Sequence, residues 1–369
     1  MMKSGIDFFF GPIEESMREA MEKLSEKNVI ERIWQKDYTV WKEDPREIHN
    51  RLDWLFIAPE MEPHLEELNE FAHALRRDGF QQAILLGMGG SSLAPELFSR
   101  VFPRKSDALE LLVLDTTDPE VISRYTESAR QRKTLYIVST KSGNTLETLM
   151  LFRHFFAFVQ QEQGVQDAGQ YFVAITDPGS PLVGLAEAHH FRKTFLNNPN
   201  IGGRYSAFSL FGLVPAALFG VDLERLLDSV KEGMKECSPS FPLSENPGAI
   251  LGSMMGVLAR QGKDKLTFFF WPPELKSFGD WLEQLIAEST GKEGKGILPV
   301  IEPFPQRVDF YGNDRWFVFL SHEDDAVLAK RCQEMREQGY PLLRIKLPNA
   351  YALGEQMFLW EFATAIAGH

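Results

Sequence analysis

At 369 residues the chain is long enough for two compact units, because single domains run to roughly 100–200 residues. Its 44% hydrophobic, 12% aromatic and 25% charged residues exclude a disordered or fibrous protein, and 52 acidic against 39 basic residues, net −13 with no long Lys/Arg run, argue against nucleic-acid and anionic-membrane partners. Cys237 and Cys332 are the only cysteines, without CxxC spacing or a Cys/His cluster, so neither a disulfide framework nor a zinc site of usual spacing is expected, and a reducing, cytoplasmic compartment fits.

The opening Met1-Met2-Lys3-Ser4 leads into Asp7 and an acidic stretch, not into an uninterrupted apolar segment, which predicts no secretion signal. The first 75 or so residues read as a helical lead-in packed on a sheet, with charged residues interleaved among Met17, Met21, Leu24, Ile33, Leu52, Leu65 and Leu68. From Gln82 the pattern becomes short apolar runs separated by helical stretches, as in parallel strands joined by crossover helices. Ala83–Leu86, Leu111–Leu114, Leu135–Val138 and Phe172–Ile175 are each continuously apolar, as strands covered on both faces are. In such a sheet, ligands bind where the loops leave the carboxyl ends of the strands.

A turn-rich stretch, Leu196–Gly203, predicts the boundary to a second unit, so the organisation expected is a lead-in over 1–75 and α/β domains over 76–200 and 201–369. The uncharged segment Tyr205–Val221 is shorter and more broken than a membrane span, and reads as a buried helix. Beyond it, Leu266–Phe270, Leu298–Ile301, Trp316–Leu320 and Leu342–Ile345 are expected strands, with helices over Phe278–Glu288 and Glu323–Gln338. Adjacent His189-His190 has no third ligand nearby and is expected at a surface strand edge, not at a metal.

Two loops could hold an anion. Gly87-Met88-Gly89-Gly90-Ser91 lies between a strand and a helix, where bare N–H groups and the positive helix end converge. As a dinucleotide fingerprint it fails at Ser92, where glycine is required, although Asp115 at the end of the next strand keeps a nicotinamide dehydrogenase open. Thr140-Lys141-Ser142-Gly143-Asn144-Thr145 likewise precedes a helix and offers three hydroxyls and an ammonium, although Thr145 could be an ordinary cap and Lys141 a solvated charge. No GxxxxGK[ST] occurs, which speaks against nucleotide hydrolysis.

Taken together, Gly87–Ser91, the hydroxyl-rich loop Thr140–Thr148, Gly202-Gly203-Arg204-Tyr205-Ser206 and Ala287-Glu288-Ser289-Thr290-Gly291-Lys292 resemble, in order, four motifs of the glucose-6-phosphate isomerases. Trp34–Trp41 and Trp360–Gly368 are most similar to the isomerase half of bacterial transaldolase–isomerase fusions, without a transaldolase portion. The resemblance implies an α/β fold of two doubly wound sugar-isomerase domains and aldose–ketose isomerisation of 6-phosphosugars through an enediolate. It further implies a homodimer that uses no cofactor and no metal. Glu288 is then the base, Arg204 the cation that holds the developing charge, and Gly90, Ser91, Thr140, Lys141, Ser142 and Thr145 the phosphate site. The ring-opening histidine of the family, supplied by a neighbouring subunit, and its lysine near the C-terminus have no clear counterpart, so spontaneous opening of cyclic sugar is expected to limit turnover, with Lys292 or Lys295 the opener if it does not. The reading from another class is a noncatalytic sugar-phosphate-binding module.

Overall fold

The computed structural model describes residues 5–162, 164–322 and 324–369; the opening Met1-Met2-Lys3-Ser4, Gln163, and Glu323 of the expected Glu323–Gln338 helix lie outside the described residues. Ten strands are present among the described residues: β1 (Ile6–Phe9), β2 (Gln82–Gly87), β3 (Glu110–Leu114), β4 (Thr134–Ser139), β5 (Phe172–Thr176), β6 (Lys193–Leu196), β7 (Lys265–Trp271), β8 (Leu298–Ile301), β9 (Arg315–Ser321) and β10 (Leu342–Lys346). They form two five-stranded sheets. All eight strands expected from apolar runs are found; β1 and β6 are additions.

Contact density divides the chain at His49/Asn50 and Glu224/Arg225, where the sequence suggested 75/76 and 200/201. One unit is continuous, Asn50–Glu224. The other joins the residues up to His49 to Arg225–His369. Two physical causes shift the bounds. The lead-in is not wholly helical, because Ile6–Phe9 pairs antiparallel with β10, and the following Glu14–Glu26 helix packs on the Pro247–Arg260 helix. The expected buried helix, found at Leu210–Phe219, is packed against the Leu93–Val101 helix and β3, which keeps it in the continuous unit. Ser209 opens that helix by accepting the Phe211 N–H at 3.3 Å, and Gly220 ends it with φ of +93°, a left-handed conformation that glycine takes without steric cost. Among the described residues no helix is long and apolar enough to cross a membrane.

In the continuous unit the order is β3-β2-β4-β5-β6, all parallel. β2, β4 and β5 are buried along their whole length, so each side chain meets a helix layer on one face or the other. Tyr136 and Phe172 stack at 4.9 Å within one of these layers, beside Phe152 and Phe155 of the Leu146–Ala157 helix. Since β3 and β4 leave β2 in opposite directions, the sheet changes winding between β2 and β4, the position at which a doubly wound sheet opens a crevice for ligand. His189 and His190 do not form a strand edge. They make the turn that stops the Pro181–Ala188 helix, His190 at φ +51°, and the His189 ring lies 4.7 Å from that of Phe156.

In the discontinuous unit the order is β1-β10-β9-β7-β8, parallel except for β1. The Lys276–Thr290 and Leu353–Ala367 helices cover one face, where Phe270 meets Phe278 and Phe268 meets Trp360. Phe269, Phe317, Phe319 and Met335 fill the other. The segments Trp34–Trp41 and Trp360–Gly368 touch: the Trp34 ring lies near those of Phe358 and Phe362, and Trp41 Nε1 donates to the Ala365 carbonyl at 2.8 Å.

Candidate active site

The glycine loop after β2 and the hydroxyl loop after β4 leave neighbouring strands on either side of the winding change in the continuous unit. Gly87 ends β2 so close to the neighbouring strand that an added Cβ would lie 3.1 Å from the Ser139 carbonyl oxygen and 3.2 Å from the Ser91 Cβ. Side-chain volume is therefore excluded at Gly87, and Ser91 is seated against the end of β4. Gly89–Ser91 is a single tight turn, with Gly89 at φ +54° and the Ser91 N–H given to the Met88 carbonyl at 3.1 Å. Ser92 returns its hydroxyl to Gly89 O at 3.0 Å, which holds the turn shut at the start of the Leu93–Val101 helix.

In the second loop the Thr145 hydroxyl does not cap the helix it precedes; it shares a hydrogen bond of 2.8 Å with the Thr140 hydroxyl. The capping alternative left open by the sequence is thus not the one the chain adopts. Gly143 turns the loop at φ +70°, and Ser142 Oγ accepts the Asn144 N–H at 3.2 Å. Among the described residues the N–H groups of Lys141, Ser142 and Gly143 donate to no protein acceptor. Three successive free donors, two hydroxyls and a helix N-terminus are a donor set that could receive an anion.

Arg204 lies in the same unit, in the turn Gly203–Tyr205. This turn is pressed backbone to backbone on the glycine loop: a Cβ at Gly90 would overlap the Gly203 carbonyl, and Ser206 donates to Gly203 O at 2.7 Å. The Tyr205 ring lies tilted against that of Trp54, centroids 4.9 Å apart, and Asp53 N–H donates to Asn200 O at 3.2 Å, so the segment is also fixed from behind. The structure therefore brings Gly90, Ser91 and the Arg204 segment together, with Thr140, Lys141, Ser142 and Thr145 in the loop that follows the adjoining strand β4.

Asp177 and Arg51, with no role expected from the sequence, stand beside this loop. Asp177, the first residue after β5, forms an ion pair with Lys141, and Lys141 Nζ also donates to Pro199 O at 3.0 Å. Burial pushes the Asp177 carboxyl above the usual aspartate value, and the Lys141 ammonium pulls it back. Arg51 adds a further positive charge near this carboxyl. An Asp closing a β-strand next to a candidate anion loop was a visible signal for Asp177; nothing in the sequence around Arg51 marks it.

Glu288 belongs to the discontinuous unit. It lies near the end of the Lys276–Thr290 helix and is exposed, and its Oε1 accepts from the Gln284 amide at 3.2 Å. That helix follows β7 and runs back along it, so Glu288 lies toward the edge where the strands of its sheet begin, opposite to the edge expected for ligands. Thr290 locks the helix end, donating to Ile286 O at 2.8 Å and accepting the Ile297 N–H at 2.9 Å. Between them Lys292 and Lys295 sit in an exposed turn, which Lys42 ties to the lead-in through Glu293 at 2.6 Å.

A family model described as phosphoglucose isomerase matches residues 60–297. The glucose-6-phosphate isomerase of Cyanothece sp. (strain PCC 7425 / ATCC 29141) is 34% identical over 70% of this chain and 50% of its own length. Among solved structures, a hypothetical protein from Thermus thermophilus matches with a TM-score of 0.83 at 23% identity, over 98% of this chain and 94% of that one. A glucose-6-phosphate isomerase from Chlamydia trachomatis matches with a TM-score of 0.78 at 20% identity, over 98% and 83%. The chain spans about half the length of the curated relatives it matches.

Proposed function

The chain belongs to the phosphoglucose isomerase family, and from that premise we propose that it interconverts glucose 6-phosphate and fructose 6-phosphate through an enediolate. The observation that carries the reading is the anion cradle at the winding change of the continuous unit, with the Arg204 turn packed on its glycine loop. A phosphate on Gly90, Ser91, Thr140, Ser142, Thr145 and the free N–H groups of the second loop would anchor the sugar far from its reacting carbons. Binding energy spent there orients C1 and C2.

Glu288 is assigned as the base that removes the proton from one carbon and returns it to the next. Such a transfer by a positioned carboxylate contributes on the order of 10²–10⁴ in rate. Arg204, always charged and planar, is assigned to the oxygen that becomes negative in the enediolate. The same proposal includes a homodimer acting in the cytoplasm, with spontaneous opening of the cyclic sugar and Lys292 or Lys295 only as the alternative opener.

The test is a coupled assay of fructose 6-phosphate conversion. Turnover by the unsubstituted chain, abolished by Glu288→Gln with sugar-phosphate affinity kept within about threefold, supports the assignment. A Glu288→Gln protein retaining more than about a tenth of the turnover removes Glu288 from the role.

A further inference from the structure

If the β4 loop holds the substrate phosphate as proposed above, its single ammonium, that of Lys141, does not face the bound group. Lys141 carries its side chain out of the loop and across to the next strand. There Nζ meets the Asp177 carboxylate and, at 3.0 Å, the carbonyl oxygen of Pro199. The two charged side chains are only 23% and 15% exposed. The main chain secures the same junction, because the Asp177 N–H donates to Lys141 O at 3.3 Å and the Thr176 hydroxyl donates to the same oxygen at 3.3 Å. One oxygen of the Asp177 carboxylate, Oδ1, is buried without a hydrogen-bond partner, and Lys141 is the cation paired directly with this carboxylate, with Arg51 a further positive charge nearby. Meanwhile the free N–H groups of residues 141–143 and the Thr140–Thr145 hydroxyl pair belong to the loop itself.

We propose that Asp177 is a positioning residue that cancels the charge of Lys141 and holds its ammonium off the ligand, so that the cradle grips a phosphomonoester with backbone and hydroxyl donors and without a lysine–phosphate ion pair. The loop then gains its shape from the Lys141–Asp177 bridge while its electrostatic pull on the phosphate stays moderate. Moderate binding suits an isomerase whose substrate and product carry the same phosphate, since any tightening there would act on both alike and slow release.

The experiment titrates inorganic phosphate and fructose 6-phosphate into the full chain by calorimetry at low and high salt. Lys141→Met combined with Asp177→Asn removes both charges at once; its dissociation constants are expected within about threefold of the unsubstituted protein, with the same salt dependence. Asp177→Asn alone releases the ammonium toward the ligand, and is expected to tighten phosphate about tenfold with a steeper loss at high salt. A loss of about tenfold or more in the double variant, with melting still cooperative, means that the ammonium touches the phosphate and overturns the proposal. Where neither neutral variant melts cooperatively, Asp177→Glu decides: a carboxylate moved by one methylene still engages Lys141, so affinity within about threefold supports the bridge and a tenfold change in either direction overturns it. Absence of phosphate binding by the unsubstituted protein would instead overturn the cradle itself.

Discussion

A Cβ on Gly90 would stand 2.7 Å from the carbonyl carbon of Gly203, so the loop after β2 and the turn bearing Arg204 meet with no room for a side chain. Gly90→Ala therefore forces two backbones apart. The expected result is a loss of about 1–3 kcal/mol in stability, the usual range for overpacking, and a fall in turnover of at least about tenfold from a displaced Arg204. Gly203→Ala is the control, because nothing lies within 4 Å of a Cβ there. Equal damage from both variants, by thermal melting and by steady-state kinetics, would show that the close approach is not the cause.

Fructose 6-phosphate should protect the fold by RT ln(1 + [L]/Kd), about 2.7 kcal/mol at a hundredfold excess over Kd, with inorganic phosphate protecting less. Ser142→Ala together with Thr145→Ala should erase most of this protection, since Thr145 is spent on Thr140 and not on capping its helix. Differential scanning fluorimetry reads the outcome. Full protection in the double variant would place the phosphate elsewhere.

Gly252 sits inside the Pro247–Arg260 helix, where alanine would normally add about 1 kcal/mol of helix stability. Its missing side chain is occupied space, however: a Cβ would lie 2.5 Å from the Ile366 Cβ and 2.6 Å from the Ala363 carbonyl oxygen. The overlap is with backbone and a branched side chain, neither of which gives easily, and its cost of about 1–3 kcal/mol outweighs the propensity gain. Gly252→Ala is thus expected to lower the melting temperature. A rise would mean that the Leu353–Ala367 helix can slide to make room.

Glu361 is fully buried on that helix, with neither carboxylate oxygen hydrogen-bonded. Burial alone raises its carboxyl well above the ordinary glutamate value of 4.5. The sign follows from linkage. Below that ordinary value both folded and unfolded chains carry the proton and the site is neutral in its effect. As pH rises, the unfolded chain ionises first and the folded state loses stability until its own carboxyl ionises. Glu361→Gln removes the titration, so denaturant melts should show a gain over the unsubstituted chain that is small at acid pH and grows towards pH 8. A gain independent of pH would refute the buried neutral acid.

What the sequence made legible is what repeats along it. β2, β4 and β5 are continuous apolar runs because both their faces are covered, and their loops are recognisable by glycine and hydroxyl content. β6 was not legible, since in Lys193–Leu196 only Phe195 is buried, and neither was β1, whose four residues include Asp7 and owe their place to pairing with β10. Arg204 and the two anion loops could be picked out because each carries a local signature. Asp177, closing an apolar run, is locally visible, but its pairing with Lys141 follows only from β5 lying next to β4 and from the direction in which Lys141 leaves its loop, neither of which is written in a short window.

The pairing of Ile6 with Ile345 sets an order of events on the ribosome. At about 5–20 residues per second, roughly 15–70 s separate the emergence of β1 from that of its partner strand. During that interval Asn50–Glu224 is complete and free to collapse on its own contacts, while the Glu14–Glu26 helix waits only for Pro247–Arg260 and β1, with its buried Phe8, waits for β10. The growing chain is therefore exposed to misassociation longest at β1.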